Sequence, residues 1–145
     1  MSTSSSPSLV KRLAHVCLRT SDLAATRQFY CDVLGFTHVF DFFRKGEVVG
    51  FYFQVAEAQF IEVFYEDKIE ADNGSHVLFH FCLECEDLKA TRQKLLDAGY
   101  APGEIIMPKD NTYQFWVKDP NGMGVEFQEY TKDSCQFTGQ AVSMD

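Results

Sequence analysis

The chain has 145 residues and a formal net charge of -8, with 46% hydrophobic and 14% aromatic residues. That length suits one domain with a real core, and the acidic balance argues against nucleic acid, whose phosphates need clustered Lys and Arg. No apolar run reaches the roughly 18 residues that a membrane span requires, and the polar first eight residues lack the apolar centre of a secretion signal.

Residues 1–9 read as a disordered tail, 10–131 as one domain and 132–145 as a flexible C-terminal tail. Five cysteines in a chain without a secretion signal fit free thiols in a reducing cytoplasm. The stretch 12–19 alternates and predicts a strand. Ser21 or Asp22 can cap a helix running to about Leu34, with Leu23, Tyr30 and Leu34 on one face and Gly35 as its stop. Strands are predicted over 37–43, 48–55 and 59–65, with Arg44-Lys-Gly-Glu47 as a hairpin connection. A strand over 76–84 follows, then a helix capped by Asp87 and ending near Gly99, with Leu88, Leu95 and Leu96 as its stripe. The pattern closes with a weak strand at 104–106 and firmer ones at 113–118 and 123–130. Asp119-Pro-Asn-Gly122 supplies type I turn residues between the last two.

Each half is therefore strand–helix–three strands, and the halves are related in sequence. His15-Val-Cys-Leu-Arg-Thr-Ser-Asp-Leu-Ala-Ala-Thr-Arg-Gln28 matches His80-Phe-Cys-Leu-Glu-Cys-Glu-Asp-Leu-Lys-Ala-Thr-Arg-Gln93 at nine of fourteen places. A fixed-offset match of this kind points to a duplicated unit, with module one over 10–70 and module two over 75–131. Asp72-Asn-Gly-Ser75 is the only linker-like segment between them.

Each copy opens on a histidine, His15 or His80, and closes on a strand glutamate, Glu62 or Glu126. Alternation places each histidine opposite an apolar face suited to helix packing. Ile61 and Val63, and Val125 and Phe127, can take the helix side and leave both carboxylates with the histidines. Carboxylates in apolar strands are costly unless paired or bound to a cation, and two together repel. A divalent ion held by His15, Glu62, His80 and Glu126 resolves both problems, and these donors suit Zn, Ni, Co, Mn or Fe. Cys82-Leu-Glu-Cys85 has the spacing of a zinc or redox pair. However, a strand sends its two side chains to opposite faces, which favours a buried structural role. Phe60 and Phe64 share the Glu62 face and are candidate pocket residues. His76 and His38 read as peripheral.

Leu13-Ala-His15-Val, Phe29-Tyr30…Leu34-Gly35-Phe36, His80-Phe-Cys-Leu and Asp119-Pro-Asn-Gly-Met-Gly-Val-Glu126 together resemble the vicinal oxygen chelate superfamily, which holds glyoxalases, bleomycin resistance proteins and dioxygenases. The resemblance implies an α+β fold of two tandem βαβββ modules. These form a U-shaped, incompletely closed sheet cleft with helices outside. Its His-Glu-His-Glu set looks most like glyoxalase I, and its length resembles bacterial enzymes that favour nickel or cobalt. What this implies is a lyase or isomerase acting on an α-hydroxycarbonyl or hemithioacetal. A proton is shuttled through a metal-stabilised enediolate, with Glu126 as base and Glu62 as its partner carboxylate. A homodimer is implied too, with the cleft either within one chain or between two. Arg19 stands where glyoxalase I contacts a glutathione carboxylate, and Lys109 lies near a second basic contact. Glutathione is therefore the implied co-substrate. Glu66 opposes it, standing where an asparagine is usual and repelling a carboxylate. The same superfamily also implies, as alternatives, an extradiol dioxygenase, an epimerase, a thiol transferase or a metal-free drug-binding protein.

Overall fold

Alternation along the first strand decides which side meets the helices. In β1 (His15–Thr20), Leu18 and Thr20 are buried, while His15, Cys17 and Arg19 are exposed. The computed structural model describes residues 9–70 and 76–145; most of the proposed N-terminal tail and the Asp72–Ser75 linker fall outside them. The remaining elements are α1 (Leu23–Arg27), β2 (Thr37–Arg44), β3 (Glu47–Ala56), β4 (Gln59–Tyr65), β5 (His80–Glu84), α2 (Leu88–Asp97), β6 (Tyr113–Lys118), β7 (Gly124–Glu129) and α3 (Cys135–Thr138).

The strands form two open sheets, β1-β4-β3-β2 and β5-β7-β6. In each half the histidine strand runs parallel to the glutamate strand: Cys17 lies opposite Glu62 and Cys82 opposite Glu126. The α+β class and the paired modules agree with the sequence reading. The weak strand at 104–106 shrinks to one bridge between Ile106 and Gln114, so the second sheet has three strands. Lys45 and Gly46 carry the β2–β3 turn with positive φ of 51° and 82°. Such a pair suits a two-residue hairpin, because its twist matches that of the strands.

Asp22 and Asp87 cap α1 and α2, each side chain accepting a backbone N–H three residues on at 2.9 Å. After Arg27 the first helix widens into a π-turn over Gln28–Val33, where Leu34 N–H reaches Phe29 O at 3.1 Å. The extra residue per turn buries the neighbours Phe29 and Tyr30 together; the α-helical spacing of the sequence reading placed only Tyr30 inward. In α2, Leu88 and Leu95 are buried, but Leu96, expected on the same stripe, is 38% exposed.

Both sheets contribute their apolar faces to one core, which holds Phe53, Ile61 and Val63 from one half and Phe115, Val125 and Phe127 from the other. Polar ties cross between the halves. Tyr30 Oη donates to Asp119 Oδ2 at 2.8 Å, Thr20 Oγ1 to Asn121 Oδ1 at 2.6 Å, and Asn121 Nδ2 to Thr26 Oγ1 at 3.0 Å. Asp119 also binds Asn121 N–H and Met123 N–H, which fixes the Asp119–Gly122 turn. The segment expected to be a flexible tail carries α3 and is tied to the 108–112 loop. Cys135 N–H donates to Asp110 O and Gln136 Nε2 to Asp110 Oδ2, while Ser134 Oγ donates to Asn111 O. Among the described residues no helix is long and apolar enough to cross a membrane.

Candidate metal and substrate site

Because the apolar faces turn into the core, the histidine faces turn out, and each sheet presents one half of the expected ligand set. On the first sheet His15 heads β1, and Glu62 sits mid-strand on β4 between the buried Ile61 and Val63. The β3 residue opposite Glu62 is Tyr52, and its hydroxyl shares a 2.9 Å hydrogen bond with His15 Nδ1. With Nδ1–H donating to the Tyr52 oxygen, Nε2 is left free as a ligand. Burial and a hydrogen bond to Glu62 push the Cys17 thiol up to about 11.

On the second sheet His80 Nε2 lies 3.1 Å from Glu126 Oε2, and Gln128 Nε2 donates to Glu126 Oε1 at 2.9 Å. Glu126 is only 7% exposed. The β6 residue opposite it is Trp116, whose ring meets the His80 ring edge-on at 4.5 Å. Trp116 Nε1 in turn donates to Gln114 Oε1 at 3.2 Å. Burial, followed by the charge of Glu126, pushes the Cys82 thiol up to about 12. Tyr52 and Trp116 thus hold one position in two copies, each across the ladder from its glutamate. The sequence reading missed this pair as partners of the site. They stand 64 residues apart, as Glu62 and Glu126 do, and that shared spacing was the available signal.

The donors fit a divalent cation. Two ligands at right angles on an ion with bonds of about 2.1 Å lie about 3 Å apart, which is close to the His80–Glu126 spacing of 3.1 Å. A carboxylate as buried as Glu126 also needs a positive partner, and the buried His80 Nδ1 has no hydrogen-bond partner. Of the four, His80 and Glu126 are in contact, while His15 and Glu62 share the outward face of the first sheet two ladder positions apart. Among the described residues no group of three or more His, Cys, Asp or Glu side chains lies close enough to hold one ion.

The expected substrate contacts are otherwise engaged. Arg19 Nη1 lies 3.7 Å from Glu66 Oε2 in an exposed pair, which holds the guanidinium only weakly. Lys109 Nζ donates to Ser143 O and Asp145 O at 3.0 and 2.8 Å, drawn there by the C-terminal segment. Phe60 and Phe64 lie half-buried on the Glu62 face, as expected. The five cysteines are free thiols. Cys85 packs on the core, whereas Cys82 is exposed on the histidine face, so the pair does divide between faces but only Cys85 reads as structural. His38 pairs with Asp41 on β2 at 2.6 Å, and His76 lies exposed before β5.

Solved structures share this architecture. A glyoxalase family protein from Enterococcus faecalis superposes with a TM-score of 0.72 at 22% identity, covering 82% of this chain and 98% of the other. Lactoylglutathione lyase from Agrobacterium tumefaciens superposes with a TM-score of 0.65 at 21% identity, over 84% and 96%. In sequence, the chain is 30% identical over 130 residues to a probable lactoylglutathione lyase of Synechocystis sp., covering 79% of this chain and 92% of that one. The family described as Glyoxalase/Bleomycin resistance protein/Dioxygenase superfamily matches residues 12–127. The chain therefore belongs to the Glyoxalase/Bleomycin resistance protein/Dioxygenase superfamily.

Proposed function

We propose that the protein is a metal-dependent lyase or isomerase of glyoxalase I type, moving a proton between adjacent carbons of an α-hydroxycarbonyl or hemithioacetal. The observation that carries this reading is the buried Glu126 beside His80, with Glu62 and His15 at the equivalent places of the other half. A carboxylate in both halves supplies a proton acceptor and a second anionic ligand. A three-ligand site of dioxygenase or thiol-transferase type needs only one.

His15, Glu62, His80 and Glu126 would hold a divalent ion, nickel or cobalt by preference. When bound, that ion supplies Lewis-acid stabilisation of negative charge on vicinal oxygens. Glu126 takes the proton from one carbon and returns it to the next, and general acid–base help of this kind is worth roughly 10²–10⁴ in rate. Gln128 holds one carboxylate oxygen of Glu126 and leaves the other directed at His80. Tyr52 orients His15 through Nδ1.

Since one chain offers pairs, a second copy is the natural source of the other pair. The reading therefore includes a homodimer with two shared sites, each built from the first sheet of one protomer and the second sheet of its partner. Chelator-stripped protein titrated with Ni, Co, Zn, Mn and Fe should take up one ion per chain. It should then turn over the methylglyoxal–glutathione hemithioacetal or a related substrate, and E126Q should abolish turnover. Absence of stoichiometric metal binding would refute the reading.

A further inference from the structure

The two outward faces have the same backbone plan and opposite surfaces. On the second sheet the residues around Glu126 include Gly124, Gln128, Gln114 and Trp116. On the first sheet the places of Gly124 and Gln128 are taken by Phe60 and Phe64. The second half keeps the same ladder plan with glycine and glutamine at these positions.

The rings make a continuous wall. Phe40 stacks on Tyr52 with centroids 4.9 Å apart and planes within 11°, and Tyr52 meets Phe60 at 5.4 Å. Phe42 packs on Phe64 at 4.6 Å and on Phe40 at 5.1 Å. Gly50 beneath Phe64 leaves the space its ring fills: a Cβ there would stand 2.8 Å from Phe64 Cδ1. The wall is anchored to the half-site by the Tyr52–His15 hydrogen bond, and Phe40 remains 43% exposed beyond it.

The Arg19 guanidinium lies 3.7 Å from Glu66, and Glu62 is a further carboxylate of the face. A flat apolar group finds ring faces on this wall against which it can stack.

We propose that the substrate is a vicinal-oxygen compound whose reacting carbons carry an aryl or similarly flat apolar group, and that Phe40, Phe42, Tyr52, Phe60 and Phe64 receive that group. This rests on the metal-site reading above and narrows it. Stacking on two rings favours an aryl ligand by roughly tenfold over its methyl counterpart.

The test uses two oxygen-chelating probes, benzohydroxamate and acetohydroxamate, titrated calorimetrically into nickel-loaded full-length protein, its F40L and F42L variants, and each protein without nickel. The expected result is aryl binding about tenfold tighter in wild type. The preference should fall below threefold in the variants, with acetohydroxamate affinity unchanged and the fold retained by circular dichroism. Equal affinities in wild type, or a preference that survives both substitutions, would overturn the inference and leave the metal reading standing. Failure of nickel to bind wild-type protein would instead remove the metal reading, and the inference with it. If F40L or F42L changes the sedimentation behaviour, the wall is a surface for a second copy and not a substrate pocket.

Discussion

Tyr30→Phe removes one oxygen and tests how the halves are joined. The Tyr30 hydroxyl donates to Asp119 Oδ2 at 2.8 Å, with both residues buried. Hydrogen bonds to charged groups contribute about 1.5–3 kcal/mol, and this carboxylate loses one donor while its other oxygen keeps Asn121 N–H and Met123 N–H. The expected loss is about 2 kcal/mol, or roughly 4–8 °C in Tm for a domain of this size. Burial, then the charge of Asp119, holds the Tyr30 phenol well above its ordinary value, so the bond persists into alkaline solution. Urea unfolding followed by Trp116 fluorescence, in a double-mutant cycle with Asp119→Asn, isolates the pair. A loss under about 0.5 kcal/mol, or no coupling in the cycle, would show that this hydrogen bond does not help to unite the modules.

Gly50→Ala should destabilise by about 1–3 kcal/mol, because the new Cβ would stand 2.4 Å from the Val63 carbonyl oxygen; an unchanged urea midpoint would refute this. Tyr52→Phe should weaken metal binding about tenfold, the low end for removing a partner from a ligating histidine, read by competition with a chromogenic chelator. Mixing H15A with H80A should restore metal binding at one site of each heterodimer if the sites are shared between chains, and restore none if they are not. Cys17 and Cys82, with thiols pushed up to about 11 and about 12, should alkylate slowly at neutral pH and faster as pH climbs past 9, measured by mass spectrometry. Folding raises both values, so their contribution is intact below the unfolded thiol range and is lost as pH rises toward 11 and 12. Unfolding midpoints should therefore fall in that alkaline window.

What the sequence made legible was local. Asp22 and Asp87 announce their helices because a cap acts within three residues, and alternation around His15 and Glu62 sorts core from open face without tertiary knowledge. Phe29 was not legible, because a π-turn shifts the helical period on which its placement depends. The aromatic wall was half legible. Phe60 and Phe64 share a strand with Glu62, whereas Phe40 and Tyr52 join them only through ladder registers that bulges near Val39 and Val55 displace. The separation of the four residues onto two sheets could not be read from spacing, since spacing fixes which face a residue occupies and not what that face meets. The hydrogen bonds of Lys109 were illegible for a similar reason: its partners, Ser143 and Asp145, come from a segment with no periodic pattern.

The π-turn carries one more consequence. The offset between the halves is 65 from His15 and His80 through Gln28 and Gln93, but 64 by Gly35 and Gly99, and it stays 64 at Glu62 and Glu126. One surplus residue in the first module therefore lies within Gln28–Gly35, and the π-turn absorbs it without disturbing the strands on either side. That single residue makes two similar helices unequal. The widened one turns Tyr30 toward Asp119, while the regular one has Leu95 at the matching place. A chain assembled from two copies of the second module would lack this tie, and with it the buried hydroxyl–carboxylate contact that makes one half differ from the other at the seam.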